Sequence, residues 1–324
     1  VSSRLAQLRR RAGSALAEGF FHGVSRAAKL HPLSRPEGHG VAVLRDVSYD
    51  PAHPTRRLDV WRPVDHAARG PLPAVLYVHG GGFRILSKET HWVMALAFAR
   101  CGYVVFNIDY RLAPRHPFPA ALEDACEAYA WVCAHAAEYG GDVGRLVLAG
   151  ESAGANLVAS LAAAACFQRD EPYARRVFAT GVVPRAVLPA CGIHQVTDPL
   201  RFLRRKPGLS RFVYDRIEEV SRAYVGDHAP GATPALDLAD PVRLFERGEG
   251  SARPLPPFFL TCGTADPLLD DTRRLHAALT ARGAVSDVRY YPGEPHAFHA
   301  FVFRESAQRH WRDTFAFLDA HVAR

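Results

Sequence analysis

Five short, predominantly apolar runs, each closed by glycine or a turn, constrain this chain more than anything else in it. They are AVLYVHG (74–80), YVVFNIDY (103–110), LVLAG (146–150), PFFLTCG (257–263) and VRYYPG (288–293). A strand buried on both faces needs an apolar run, and that is the condition of parallel strands inside a sheet. Helical patterns separate the runs at about residues 88–100, 119–138, 153–168 and 271–282, and a last one spans 305–322. Strand and helix in alternation predict an α/β fold, a mostly parallel twisted sheet with helices on both faces. Two earlier segments, VAVLRDVSY (41–49) and RRLDVWRP (56–63), alternate apolar and polar residues and predict an antiparallel edge with one solvated face.

Two segments fall outside this rhythm. Leu5, Leu8, Ala12, Leu16 and Phe20 recur at helical spacing, so residues 1–40 read as a helical arm that ends at HPLSRPEGHG. Residues 191–250 are too long for a plain crossover, and TDPLRFLRRKPGLSRFVYDRIEEVSRAYVGD within them has helical spacing. They read as an insertion packed over one end of the sheet, a helical cap that the arm joins. The catalytic domain is then 41–190 together with 251–324.

The bulk numbers exclude more than they assign. A chain of 324 residues with 48% hydrophobic and 23% charged residues is globular and supports a sizeable core. The net charge of +7 includes short clusters such as Arg9-Arg10-Arg11 and Arg204-Arg205-Lys206, but no nucleic-acid reading module accompanies them. A solvated basic surface explains them, and no nucleic-acid partner is expected. Six cysteines, at 101, 126, 133, 166, 191 and 262, include no Cys-x-x-Cys pair and mostly sit in apolar runs. They read as small buried hydrophobes in a reducing, cytoplasmic setting. Arginines scattered through the first residues do not make a secretory leader, and no run approaches the ~18 apolar residues of a membrane span.

The chemistry is concentrated where the third apolar run ends. Gly150-Glu151-Ser152-Ala153-Gly154 fits Gly-x-Ser-x-Gly, with a strand before it and a helix after it. A sharp strand-to-helix turn forces the serine into strained backbone geometry, and Gly150 and Gly154 remove side chains that would clash. The hydroxyl then stands over a helix N-terminus, where developing negative charge is favoured. An ordinary glycine-rich turn would have no use for the serine.

A serine hydroxyl needs a base to become a nucleophile. Asp266 follows the strand at 257–262 and His296 follows the strand near 288–291, so the order is Ser, Asp, His. Asp270 and Asp271 compete with Asp266, but they fall at a helix start, where capping accounts for them. His299 stands three residues beyond His296; without carboxylate or cysteine company it reads as structural or pocket-lining rather than half of a metal pair. His79-Gly80-Gly81-Gly82-Phe83 follows the first run, and its glycine amides can face a substrate without a Cβ in the way. Fixed N–H donors of this kind stabilise an oxyanion. A phosphate cradle would want Lys-Ser/Thr and a helix at once, and GGGFRILSKET has neither in place.

Together HGGGF (79–83), DYRLAPRHPFPAALED (109–124), GESAGANL (150–157), GTADPLLDD (263–271) and PHAF (295–298) resemble the hormone-sensitive-lipase-like, or HGGG, family of bacterial α/β-hydrolase esterases, over about residues 41–322. The resemblance implies an α/β-hydrolase fold with a helical cap and a serine carboxylesterase of short- to medium-chain acyl esters. It implies Ser152 as nucleophile, His296 as general base and acid, and Asp266 as its orienting partner. The amides of Gly81, Gly82 and Ala153 would form the oxyanion hole, with His79 and Gly80 bracing the loop and Gly150 and Gly154 the turn. Asp109 and Arg111 would join a buried polar network, and residues 1–40 and 195–230 would shape the pocket. No cofactor and no metal is implied; the partner is a small ester, and a homodimer through the last strand and helix fits the family. An amidase, a deacetylase or a lactonase would use the same triad. A small-molecule receptor on this scaffold, as in the plant gibberellin receptors, lacks the working histidine that His296 supplies here. The chain departs from the family at Arg115, where glutamate is frequent, and at Ala297, where glycine is.

Overall fold

The computed structural model describes residues 13, 16, 18, 19, 22–226 and 234–322. Most of the arm's first half, and residues 227–233 of the insertion, lie outside the described residues. What is described of the arm is helical at residues 22–29 (α1), followed by 3₁₀ turns Pro32–Ser34 and Pro36–His39.

The sheet has eight strands: β1 Val41–Ser48, β2 Arg57–Pro63, β3 Leu72–Val78, β4 Val104–Ile108, β5 Gly141–Glu151, β6 Ala186–Ala190, β7 Phe258–Gly263 and β8 Ser286–Tyr291. Their order is β1-β2-β4-β3-β5-β6-β7-β8. β1 and β2 pair antiparallel, as do β2 and β4, and all later neighbours are parallel. The fold is therefore the expected α/β-hydrolase sheet with an antiparallel edge.

Alternation along the central strands explains why their sequences are apolar throughout. Ala74, Leu76, Val78, Val104, Phe106, Leu146 and Leu148 face one core, where α4 (Ala120–His135) and α5 (Ala153–Cys166) pack through Leu122, Tyr129, Leu157 and Leu161. Val75, Tyr77, Val105, Val147 and Ala149 face the other, against α3 (Trp92–Arg100) and α11 (Glu305–His321). A residue pointing either way meets a helix rather than water.

The sheet has one strand beyond those read from the sequence, and one expectation needs correction. β6 lies outside the apolar runs, and its Pro189 removes a ladder donor. It nevertheless pairs with β5 and β7, with Pro189 beside Gly150. β2 has no solvated face of the kind its alternation predicted: Leu58, Val60, Trp61 and Asp59 are all buried, since β4 covers its second edge and α3 lies on it.

Short helices α2 (His66–Arg69) and α6 (Pro172–Ala179) precede β3 and β6, and between β6 and β7 the chain forms α7 (Leu200–Arg205), α8 (Arg211–Val225) and α9 (Pro241–Glu246). Buried polar groups tie this segment to the sheet layer. Asn156 of α5 donates to the carbonyls of Ile193 (2.8 Å) and Ala239 (2.9 Å), and Ser160 donates to that of Leu238 (2.7 Å). Within the segment itself, the Asp240 carboxylate accepts the amides of Val196 (2.6 Å) and Thr197 (3.1 Å).

Asp271 corrects another expectation. It lies in the first turn of α10 (Leu269–Ala281), but it is fully buried and its carboxylate reaches out of the helix. It accepts the amides of His194 (2.9 Å) and Gln195 (3.2 Å) and pairs with buried Arg201. Asp271→Ala would leave that guanidinium and two amides without their anion. We expect a loss of about 3–5 kcal/mol in denaturant unfolding, the range for breaking a buried ion pair; a loss below about 1 kcal/mol, the surface range, would show that the carboxylate is not the anchor.

Candidate active site

Strands β3, β5, β6, β7 and β8 run parallel, so their C-terminal ends open at one end of the sheet. In open α/β sheets that end is where ligands bind. Ser152 follows β5, Asp266 follows β7, His296 follows β8, and the glycine loop follows β3.

The turn at Ser152 has the strain that the motif requires. Its backbone sits at φ 56° and ψ −112°, and its amide donates to the Ala190 carbonyl at 2.9 Å. The two flanking glycines are steric necessities. A Cβ on Gly154 would stand 2.0 Å from the Val78 carbonyl oxygen, and one on Gly150 would stand 2.7 Å from it. The end of β3 can therefore pack against the end of β5 and the start of α5 only without those side chains.

The structure brings the three expected side chains into one chain of hydrogen bonds. His296 Nε2 lies 3.0 Å from Ser152 Oγ, and His296 Nδ1 lies 2.8 Å from Asp266 Oδ2. An ionised carboxylate only accepts, so Nδ1 carries the proton and Nε2 is free to accept from the serine. Asp266 Oδ1 accepts the Leu268 amide at 2.7 Å, which fixes the carboxylate. The loops holding Asp266 and His296 are joined directly: the Ala265 amide donates to the Glu294 carbonyl (3.1 Å), and the Gly293 amide to Thr264 Oγ1 (2.8 Å). Burial works to lower the pKa of His296, but the Asp266 carboxylate and the Cys191 sulfur outweigh it and raise the value well above 6.5. Ala297 takes φ 55°, the left-handed conformation that the family's glycine would adopt freely, at about 1 kcal/mol of strain.

The glycine loop is braced from below by a residue that the sequence reading passed over. Glu151, buried beside the serine, accepts the Gly80 amide at 2.5 Å, pairs with His91 Nε2 at 2.7 Å and takes a hydrogen bond from Tyr77. Burial would raise its pKa, but the His91 imidazolium pulls the carboxyl down to about 2. The one available signal was its type, an acidic residue inside an otherwise apolar and small run. His79 stacks on Tyr110 with ring centroids 4.2 Å apart, and its Nδ1 donates to the Gly80 carbonyl at 2.7 Å. Burial, with His91 nearby, lowers its pKa to about 3, so it is a neutral prop. Gly81 has φ 105°, and a Cβ there would stand 2.0 Å from the Ile85 carbonyl oxygen. Gly82 has φ 60°, and a Cβ there would meet Val220 of α8 at 2.6 Å. Next to it, Phe83 stacks on Tyr224 at 3.6 Å, so α8 lies directly on this loop.

The remaining candidates are structural. Arg111 pairs with Asp124 and Glu123, and Asp109 accepts the Lys88 amide at 2.8 Å, so the two half-buried residues sit in separate polar clusters rather than in one buried network. Arg115 is exposed. His299 is buried, stacks on His310 at 4.7 Å, and lines a cavity of about 30 Å³ with Thr261 and Thr314 behind β5 and β7. Burial lowers its pKa to about 4. Among the described residues it is not part of a metal-ligand group with His296. Among the same residues, no helix is long and apolar enough to cross a membrane.

Comparison with known proteins agrees with this fold. A family model described as alpha/beta hydrolase fold matches residues 75–300. Carboxylesterase NlhH of Mycobacterium tuberculosis is 34% identical over 262 residues, 80% of this chain and 74% of that protein. Among solved structures, esterase LipW from Mycobacterium marinum superposes with a TM-score of 0.73 at 27% identity, over 92% of this chain and 86% of that one. An esterase from the bacterial hormone-sensitive lipase family superposes with a TM-score of 0.67 at 26% identity, over 87% and 85%. With its sheet order, serine turn and glycine loop, the chain belongs to the α/β-hydrolase fold family, within its hormone-sensitive-lipase-like group of bacterial esterases.

Proposed function

We propose that this protein is a serine carboxylesterase acting on short- to medium-chain acyl esters through an acyl-enzyme intermediate. The observation that supports it most is the continuous Ser152–His296–Asp266 hydrogen-bond chain, at 3.0 and 2.8 Å, at the strand ends. Ser152 attacks the ester carbonyl as His296 Nε2 takes its proton. Asp266 holds the proton of Nδ1 in place and stabilises the imidazolium that forms. The tetrahedral oxyanion is held by the amides of Gly81, Gly82 and Ala153, while the Gly80 amide is committed to Glu151. His296 then protonates the departing alcohol. Water, activated by the same imidazole, releases the acid.

The segment 191–250 and the arm are proposed as a cap over this site. Val220 above Gly82 and the Phe83–Tyr224 stack support that reading, because they place α8 against the proposed oxyanion loop. Gly13 of the arm approaches Arg216 of the same helix. A covered pocket limits acyl length. All six cysteines are free thiols, which supports a reducing, cytoplasmic location.

A panel of p-nitrophenyl esters of increasing acyl length tests the substrate class, with anilides and lactones beside them. We expect kcat/KM to peak at short or medium chains and esters to exceed amides and lactones. A rate that rises steadily out to long-chain triglycerides would overturn the chain-length assignment. Faster turnover of an amide or lactone would reassign the bond.

A further inference from the structure

A thiol that the proposed reaction does not use stands beside its base. Cys191 follows β6, is buried, and donates its amide to the Thr261 carbonyl at 2.7 Å. Its backbone sits at φ 40°, a region that non-glycine residues seldom occupy, so its direction is set by the fold rather than by local preference. Its sulfur, an Asp266 carboxylate oxygen and a His296 ring nitrogen all lie within 4.8 Å of one another. Among the described residues this is the group of three potential metal ligands that comes together.

The donor set has a definite chemical preference. A thiolate and a carboxylate bring two negative charges, and a neutral imidazole adds a nitrogen. That set suits a thiophilic, borderline-soft divalent ion and not Mg²⁺ or Ca²⁺, which want oxygen alone. Zinc bonds of about 2.0–2.3 Å in a tetrahedral arrangement put ligand atoms roughly 3.5 Å apart. The Nδ1–Oδ2 separation of 2.8 Å would have to open slightly, and the Cys191 sulfur, within 4.8 Å of an Asp266 oxygen and a His296 ring nitrogen, would have to close in. Asp266 is already held by the Leu268 amide.

We propose that Cys191, Asp266 and His296 form a binding site for a thiophilic divalent cation such as Zn²⁺ or Cd²⁺, and that occupation of this site switches the enzyme off. The ion binds on the Nδ1 edge of His296, where Asp266 stands. Cys191 gives its thiol proton to solvent and binds as thiolate. The ring proton moves from Nδ1 to Nε2, so one cation enters and one proton leaves. With a proton on Nε2, the imidazole donates toward Ser152 and can no longer accept from it. Inhibition therefore follows from the tautomer, without displacement of the serine.

The inhibitory consequence rests on the esterase reading above; the binding itself does not. The test uses the full chain carrying Cys101→Ser, which removes the exposed thiol. CdCl₂ is added in a non-chelating buffer, and the ultraviolet charge-transfer absorption of a cadmium–thiolate bond is followed together with p-nitrophenyl acetate hydrolysis. We expect the absorption to saturate at one equivalent and hydrolysis to fall with it, EDTA reversing both. In a Cys191→Ala variant the absorption should be absent. The ratio of activity with and without metal should then need more than about tenfold higher Cd²⁺ or Zn²⁺ to fall by half, the lower bound for weakening a metal site by losing one supporting group. Cys191→Ser, which keeps the shape, should lose the same absorption if the alanine variant does not fold. A one-equivalent absorption that persists without Cys191, or unchanged metal sensitivity of hydrolysis, overturns the site. Absorption at Cys191 in a protein that never hydrolyses esters would overturn the esterase reading and leave the site standing.

Discussion

Changing Ser152 to alanine is expected to lower kcat for p-nitrophenyl acetate by about a millionfold, and His296→Ala by a similar factor. The double variant should be no worse than either single one, because nucleophile and base act as a unit and lose their whole effect together. The geometry gives the reason. The Ser152 hydroxyl has its acceptor in His296 Nε2, 3.0 Å away, at a turn whose φ of 56° aims it at the sheet end. Residual rate would come from the oxyanion donors and from binding alone. A fluorophosphonate should label the wild-type protein at Ser152 and label neither variant. Losses below about a hundredfold, or losses that multiply in the double variant, would mean that the proton leaves the serine by another route.

Asp266→Asn is expected to lower kcat by about ten thousandfold while leaving the fold intact. An asparagine amide can donate to His296 Nδ1, which drives the ring proton to Nε2 and removes the base. Asp270→Asn is the control. Asp270 is half-exposed, pairs with Arg273 at 3.3 Å on the surface of α10, and should matter little. The pH profile provides a second reading of the same change. The imidazole must be neutral to accept a proton, so activity is lost as pH falls through its pKa. With the Asp266 carboxylate in place, the acid limb of kcat/KM should lie above 6.5, and in Asp266→Asn it should move down. A limb that stays in place would show that Asp266 is not the charge that raises it.

Much of this site could be read from local sequence, for physical reasons. Gly150, Ser152 and Gly154 are spaced by the turn itself, since each glycine is required by backbone within a few residues of it or on the adjoining strand. Asp266 and His296 each follow an apolar run that ends at the same side of a parallel sheet. Other features were not legible because they depend on partners distant in the chain. Glu151 matters through His91, Tyr77 and Gly80, and nothing near it in sequence names those partners. Asp271 looked like a helix-start residue until the fold placed the His194 and Gln195 amides and Arg201 against it. β6 was hidden by Pro189, whose missing donor argues against a strand unless the neighbours on both sides are known.

From sequence alone came the periodicity of strands and helices, the order of the three candidate side chains and the glycines that clear space for them. These are properties of short stretches, set by side-chain pattern and backbone sterics. Only the tertiary structure decided which buried charges face one another, how α8 lies on the glycine loop, and that the Cys191 sulfur stands beside the imidazole of His296. Burial turns ordinary polar residues into partners that must be matched, and the match is made by packing across the fold rather than by neighbours along the chain.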